Sequence, residues 1–271
     1  MPELPEITCR AREMSQELVG RTVTAIEVLQ PKCLNVPPEE FIESLTGGQV
    51  EDVTHHGKWI FVETTKGYLL LNMGMGGEIL LVTRKTLPKK RRLVFDLDDG
   101  ACLSINFWWF GYAHYTPPGA IETHAMTARQ GPSALDVTTE ELKAMLDGRR
   151  GRIKSFLLDQ SKIAGIGNAY VHDILFLARL HPLRTINTMS DAEIDALAAA
   201  IKDGLQPSVE AGGAFYEVNL YGERGGFTAE NLLVGYREGK ACPVCGTTIE
   251  KLKTGSTASF VCPRCQPLMP N

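Results

Sequence analysis

Four cysteines constrain this chain more than any other feature. Cys242-Pro-Val-Cys245 and Cys262-Pro-Arg-Cys265 are two C-x2-C pairs separated by sixteen residues. Each pair can grip one edge of a tetrahedral ion from a tight turn, and thiolates at this spacing favour one structural zinc ion. The competing arrangement, two disulfides, needs an oxidising compartment. The sequence shows no basic-then-apolar leader and no apolar run of bilayer length, so the expectation is a soluble, cytosolic protein without a membrane partner. Cys9, Cys33 and Cys102 stand singly among apolar residues and read as reduced core positions. The 271 residues leave room for two further domains, each with its own core.

Those two domains differ in pattern. Ile7, Ala11, Met14 and Leu18 recur at helical spacing after Pro5, and Gly20 is a fitting stop. Short stretches rich in β-branched and aromatic residues follow: 22–29, 59–64, 68–73, 78–83, 93–98 and 102–107, with turn signals between them. One helix is expected at 38–45. Regular strands with tight turns predict a sandwich or a partly closed barrel over residues 1–130. Gly131-Pro132-Ser133 opens a linker over 131–138. Residues 139–239 read as helical, with pieces at 139–146, 152–158 and 169–178. A capping box at Ser190-Asp191-Ala192-Glu193 starts a longer helix with Ile194, Leu197, Ile201 and Leu205 on one face. The glycines within 214–231 suggest a mobile loop, and 240–271 is the metal module.

Charge argues mildly against a nucleic-acid partner. The formal net charge is −4, and a division at residue 132 reveals no basic half, with 13 Lys+Arg against 16 Asp+Glu before it. Phosphate contacts must therefore come from local features. Gly165-Ile166-Gly167-Asn168 is one, since glycines let a backbone approach a phosphate and Asn168 adds a side-chain donor. Arg149, Arg150, Arg152 and Lys154 lie just upstream. Lys58, in His55-His56-Gly57-Lys58-Trp59, sits where a turn feeds a strand, and the two histidines read as structural. Lys89-Lys90-Arg91-Arg92 reads as a solvated turn. At the opposite end, Met1-Pro2-Glu3-Leu4-Pro5-Glu6 carries chemistry. Removal of Met1 would leave the Pro2 secondary amine beside the Glu3 carboxylate, a nucleophile next to an acid–base group.

In order and spacing these motifs resemble the formamidopyrimidine-DNA glycosylase / endonuclease VIII family, bifunctional DNA glycosylase/AP lyases. The resemblance runs from residues 1–6 through His56-Gly57-Lys58-Trp59, Gly131-Pro132 and Gly165-Ile166-Gly167-Asn168-Ala169-Tyr170 to the four-cysteine finger. It implies an α+β multidomain fold: an N-terminal β-sandwich with an N-terminal helix, then a helix–two-turns–helix domain with a β-ribbon zinc finger. It also implies a monomer bound to damaged DNA, cytoplasmic and associated with the nucleoid. Pro2 would attack C1′ of a flipped nucleotide, Glu3 would protonate the sugar ring oxygen, and β- then δ-elimination would cut the strand. Lys58 and Asn168 would each hold a phosphate.

The resemblance also exposes departures. The family's duplex-probing loop usually carries an Asp-Pro-Arg-Arg-Phe-Gly run, whereas this chain has Asn106-Phe107-Trp108-Trp109-Phe110-Gly111. Both cations are indoles here, so hydrogen-bond readout of the orphan base should be lost while Trp108, Trp109 and Phe110 can still wedge or stack. Thr257 stands where a finger arginine grips phosphate, which predicts a flatter salt dependence. Asn72 replaces a histidine before the loop of Met75, which remains as an apolar wedge, and Asp173 replaces a glutamate. An active enzyme with altered lesion and opposite-base preference is the leading expectation. The alternative is a protein that binds distorted or abasic DNA without excising a base.

Overall fold

The computed structural model describes residues 1–255 and 257–268. The chain forms two compact units: residues 1–129 with 211–226, and residues 130–210 with 227–271.

In the first unit, helix α1 (Leu4–Leu18) follows a capping box in which Glu6 accepts the Glu3 backbone N–H at 2.9 Å. Pro5 is tolerated in the first turn because its missing N–H would be unpaired there. Ile7, Ala11, Met14 and Leu18 are all buried, and Gly20 turns the chain away at φ +87°. Eight antiparallel strands make two four-stranded sheets. One has the order β1 (Val23–Val28), β6 (Leu93–Leu97), β7 (Ala101–Asn106), β5 (Glu78–Thr83). The other has β2 (Val50–His56), β3 (Trp59–Thr64), β4 (Gly67–Asn72), β8 (Tyr112–Thr116). Their inner faces, α1 and α2 (Pro38–Leu45) share one apolar core that includes Phe41, Ile60, Leu71, Ile79 and Phe95. This is a β-sandwich, with Cys33 buried in the same core and Cys9 and Cys102 buried elsewhere in the unit. Burial pushes all three thiols up to about 11, so they stay protonated and inert.

Two strands escaped the pattern reading. In β2 only Val50 and Val53 are buried, a spacing of three that breaks the alternation expected of a half-buried strand. The β8 stretch is five residues long, and its buried faces carry His114 and Thr116. The stretch at 211–226 also differs from a free loop. Helix α1 straps it down with a polar stripe at helical spacing. Glu6 accepts from Ala214 N–H (3.1 Å), Arg10 donates to the Val218 carbonyl, Glu13 accepts from Leu220 N–H (2.8 Å), and Glu17 accepts from the Tyr221 hydroxyl (2.8 Å).

The second unit is helical. It contains α3 (Thr139–Leu146), α4 (Ile153–Leu158), α5 (Val171–Leu177) and α6 (Asp191–Glu210), then the hairpin β9 (Glu250–Thr254) and β10 (Thr257–Val261). Thr138 and Glu141 cap α3 reciprocally, and Ser190 with Glu193 does so for α6. On α6, Leu197, Ile201 and Leu205 are fully buried, and Gly204 sits against Ile174 of α5, where a Cβ would come within 2.7 Å of that side chain. Among the described residues no helix is long and apolar enough to cross a membrane.

Candidate active site

Pro2 is buried behind the exposed Met1, at the N-cap end of α1. Glu3 and Glu6 beside it are 4% and 6% exposed. Lys58 reaches the same place from another element. Gly57 and Lys58 form the two-residue turn between paired His56 and Trp59, with Gly57 at φ +55° as such a turn requires. Burial lowers the Lys58 ammonium from the ordinary lysine range, and the charges of Glu3 and Glu6 oppose that shift. An amine terminus, two buried carboxylates and a desolvated lysine thus converge within the first unit, a grouping suited to moving protons around a nucleophile.

The expected wedge lies in the same unit and is built from two loops. Met75 N–H donates to the Trp109 carbonyl (2.8 Å), and Trp108 N–H donates to the Met75 carbonyl (2.9 Å). Gly74, at φ +55°, makes this approach possible, since a Cβ there would come within 2.2 Å of the Trp109 oxygen. Met75, Trp108, Trp109 and Phe110 are 45%, 62%, 64% and 67% exposed. Both indoles therefore face solvent. Phe110 itself holds a left-handed backbone, φ +56°, which a bulky residue rarely adopts.

Sequence reasoning missed two supports of this loop. Arg92, read as part of a solvated turn, donates to the Phe107 carbonyl, reaches the Trp108 carbonyl at 3.4 Å and lies 5.6 Å from the Phe107 ring centroid. Asn72 donates to the Lys58 carbonyl (3.1 Å) and accepts the Gly74 N–H (3.0 Å), tying the Lys58 turn to the Met75 loop. Neither announces itself by motif; a run of four cations looks the same whether its members are solvated or bracing.

In the second unit, Gln160 shapes the Gly165–Asn168 turn by accepting from Gly165 N–H (2.9 Å) and donating to the carbonyls of Leu158 (3.1 Å) and Ile166 (2.8 Å). Asn168 is half-buried and its amide nitrogen reaches the Tyr236 hydroxyl at 3.3 Å. The helix after it, α5, is shorter than the 169–178 stretch the sequence suggested. Asp173 on it accepts three backbone N–H bonds, from Leu233, Val234 and Gly235, at 2.8–2.9 Å. Arg149, Arg150, Arg152 and Lys162 line one open recess.

Lys154 sits differently from that surface group. It is 3% exposed, and its ammonium donates to the Ala258 carbonyl (2.6 Å), Ser259 (2.9 Å), Thr257 (3.1 Å) and Thr254 (3.4 Å) on the β9–β10 hairpin. Burial brings its pKa down to about 8. Its charge stands directly behind half-buried Thr257.

The four cysteine sulfurs lie within 4.8 Å of one another, with Cys242 and Cys265 3.9 Å apart and Cys245 and Cys262 3.4 Å apart. Tetrahedral zinc with bonds of about 2.3 Å places thiolates about 3.8 Å apart, so the set fits one structural zinc ion. The ion would supplement a small core, in which Phe176, Val234, Ile249, Phe260 and half-buried Leu233 pack with the cysteines.

Three family models match successive parts of the chain: the formamidopyrimidine-DNA glycosylase N-terminal domain over residues 1–106, its H2TH domain over 130–219, and a zinc finger found in FPG and IleRS over 239–268. The formamidopyrimidine-DNA glycosylases of Symbiobacterium thermophilum and Pelotomaculum thermopropionicum are each 35% identical, covering 99% and 98% of this chain and 90% and 99% of theirs. Among solved structures, a Lactococcus lactis Fpg complex with N7-benzyl-Fapy-dG DNA superposes with TM-score 0.92 at 26% identity, covering 98% of this chain and 100% of that one. A complex of the same enzyme with abasic-site DNA gives 0.90 at the same identity and coverage. With every domain matched in order, and with the zinc-binding cysteines in place, the chain belongs to the formamidopyrimidine-DNA glycosylase family of base-excision repair enzymes, DNA glycosylases with AP-lyase activity.

Proposed function

We propose that this chain excises a damaged, oxidised base and cuts the resulting abasic site through the amine of Pro2, exposed by removal of Met1. The amine attacks C1′ of a nucleotide flipped out of the stack. The glycosidic bond breaks as the N–C1′ bond forms. Glu3 protonates the ring oxygen as the sugar opens to an iminium. That iminium acidifies the C2′ hydrogens, so β-elimination and then δ-elimination release the two flanking phosphates. Lys58 holds a phosphate beside the flipped sugar, and Asn168 holds another phosphate. The observation that carries this reading is the gathering of buried Glu3 and Glu6 with desolvated Lys58 at Pro2. The Lactococcus lactis structures hold Fapy-dG or abasic-site DNA, the substrate classes assigned here. The protein acts as a monomer, cytoplasmic and at the nucleoid.

Met75, Trp108, Trp109 and Phe110 fill the gap left in the duplex by stacking, with no arginine to read the orphan base. Thr257 leaves the finger without a phosphate-gripping guanidinium. Both substitutions shift preference towards lesions in unpaired or distorted DNA, where orphan-base readout is dispensable.

Borohydride trapping tests the chemistry. The protein, shown by intact mass to begin at Pro2, is incubated with abasic-site or oxidised-base DNA and reduced. A covalent adduct lost in Pro2→Gly is expected. Tight binding without an adduct on any substrate would instead identify a non-excising binder.

A further inference from the structure

One half-buried acid has no part in the chemistry above. Glu217 lies on the 211–226 segment, its side chain 12% exposed, with Oε1 3.5 Å from the terminal amine, which in the full sequence is that of Met1. The segment is not free to swing there. On the two sides of Glu217, Ala214, Val218 and Leu220 are each hydrogen-bonded to α1, through Glu6, Arg10 and Glu13. Gly225 N–H also donates to the Glu217 carbonyl at 3.3 Å. The helix that Pro2 precedes thus holds this carboxylate at the Met1 amine, one residue from Pro2.

We propose that Glu217 is the proton acceptor for the nucleophilic amine, a role that rests on the Pro2 chemistry above. A secondary amine that attacks C1′ becomes an ammonium with one N–H. It cannot push the ring oxygen out as an iminium until that proton leaves. Glu217 takes the proton as the nitrogen lone pair moves to form C1′=N, while O4′ departs with the proton from Glu3. The proton held by Glu217 then passes to the departing base anion, so neither proton nor charge accumulates. The charged groups that face Glu217 are the Met1 amine, Glu6 and Arg10, the last of which also pairs with Glu13 at 3.1 Å. Burial pushes the Glu217 carboxyl up to about 7, with Glu6 adding to the shift and the amine and Arg10 opposing it. Transfer from an amine to such an acid is closer to balanced than transfer to an ordinary carboxylate.

The test is the pH profile of single-turnover adduct formation on abasic-site DNA, for wild type and Glu217→Gln, both with Pro2 verified as the first residue. Gln keeps the shape and removes the acceptor. In the variant, adduct formation at pH 7 is expected to slow by about 10²-fold, within the range for a positioned acid–base group. It should recover towards wild type as the pH rises, because solvent base then takes the proton from the ammonium formed on attack. DNA affinity and thermal midpoint should stay unchanged. A variant slowed equally at every pH marks a structural role and overturns the proposal. A variant faster at neutral pH also overturns it, because Glu217 would then be an ion-pair partner that restrains the amine. Wild type that forms no adduct at all sinks the Pro2 reading itself, which separates the two failures.

Discussion

The amine pocket and the aromatic loop belong to one unit and are built on opposite principles. Around Pro2 the polar groups are buried and answer one another: Glu6 closes the helix cap and fixes Ala214, and Glu3 and Glu6 oppose the desolvation of Lys58. In the loop, by contrast, the backbone groups of Met75, Trp108 and Trp109 satisfy each other while their side chains stay in water. Burying charge costs free energy unless it is paired, so such a pocket persists only where the fold compensates it. Exposing four large apolar side chains on a braced loop is likewise unfavourable without a partner to cover them. The pocket is therefore complete within the chain, while the loop is complete only against something else. Chemistry and recognition should accordingly be separable by mutation.

The largest expected effect tests the pocket. Glu3→Gln should slow strand cleavage by about 10²–10⁴-fold, the usual contribution of a positioned acid. Its dissociation constant for abasic-site DNA should stay within a few-fold of wild type, as read by fluorescence anisotropy. If binding falls in parallel with the rate, the two regions are not independent. The loop comes next. Replacing Trp108 and Trp109 together by Ala should weaken binding by about 1–3 kcal/mol for each base stacked, roughly 5- to 150-fold per base. The adduct-forming rate at saturating protein should survive. Unchanged affinity would mean that the indoles meet no base.

The same contrast explains what could be read from the sequence. The zinc module, the β-rich and helical halves and the cap of α6 rest on local spacing, and local spacing is visible in one dimension. So is the Met1–Glu6 motif. The rest depends on chain crossings. Glu6, Arg10, Glu13 and Glu17 look like the solvated side of an amphipathic helix, yet they hold residues more than 200 positions away. That is why 214–231 reads as a mobile loop and Glu217 carries no signal. Lys154 looks like a phosphate ligand beside three arginines, yet it turns inward to the β9–β10 hairpin, a pairing 100 residues distant. Strand β2 is hidden for a simpler reason: its two exposed acids and two half-buried histidines outnumber the two valines that place it.

A smaller effect probes how the loop is held. Gly74→Ala puts a Cβ where the Trp109 carbonyl stands and forces a β-carbon residue to hold φ +55°. The bridge between Met75 and Trp109 should open, leaving the aromatics in place but less ordered. An ordering cost of about 1 kcal/mol corresponds to roughly fivefold weaker binding. Stopped-flow association with abasic-site DNA should show it, and adduct formation at saturation should again be spared. An effect as large as that of the double tryptophan variant would mean that the side chains matter only through the bridge.

The smallest effect concerns the base opposite the lesion. A guanidinium can offer paired donors to a base edge, and each good bidentate pair discriminates by about 1–3 kcal/mol. An indole has one N–H donor and a face, and a face stacks on every base. With Trp108 and Trp109 exposed at the loop tip, cleavage of one lesion placed opposite each of the four bases in turn should vary by less than about fivefold in single-turnover rate, below about 1 kcal/mol. Trp109→Arg should widen that range by restoring a directional donor pair. A strong wild-type preference for cytosine would show that some other group reads the orphan base, and the loop would then serve as a wedge alone.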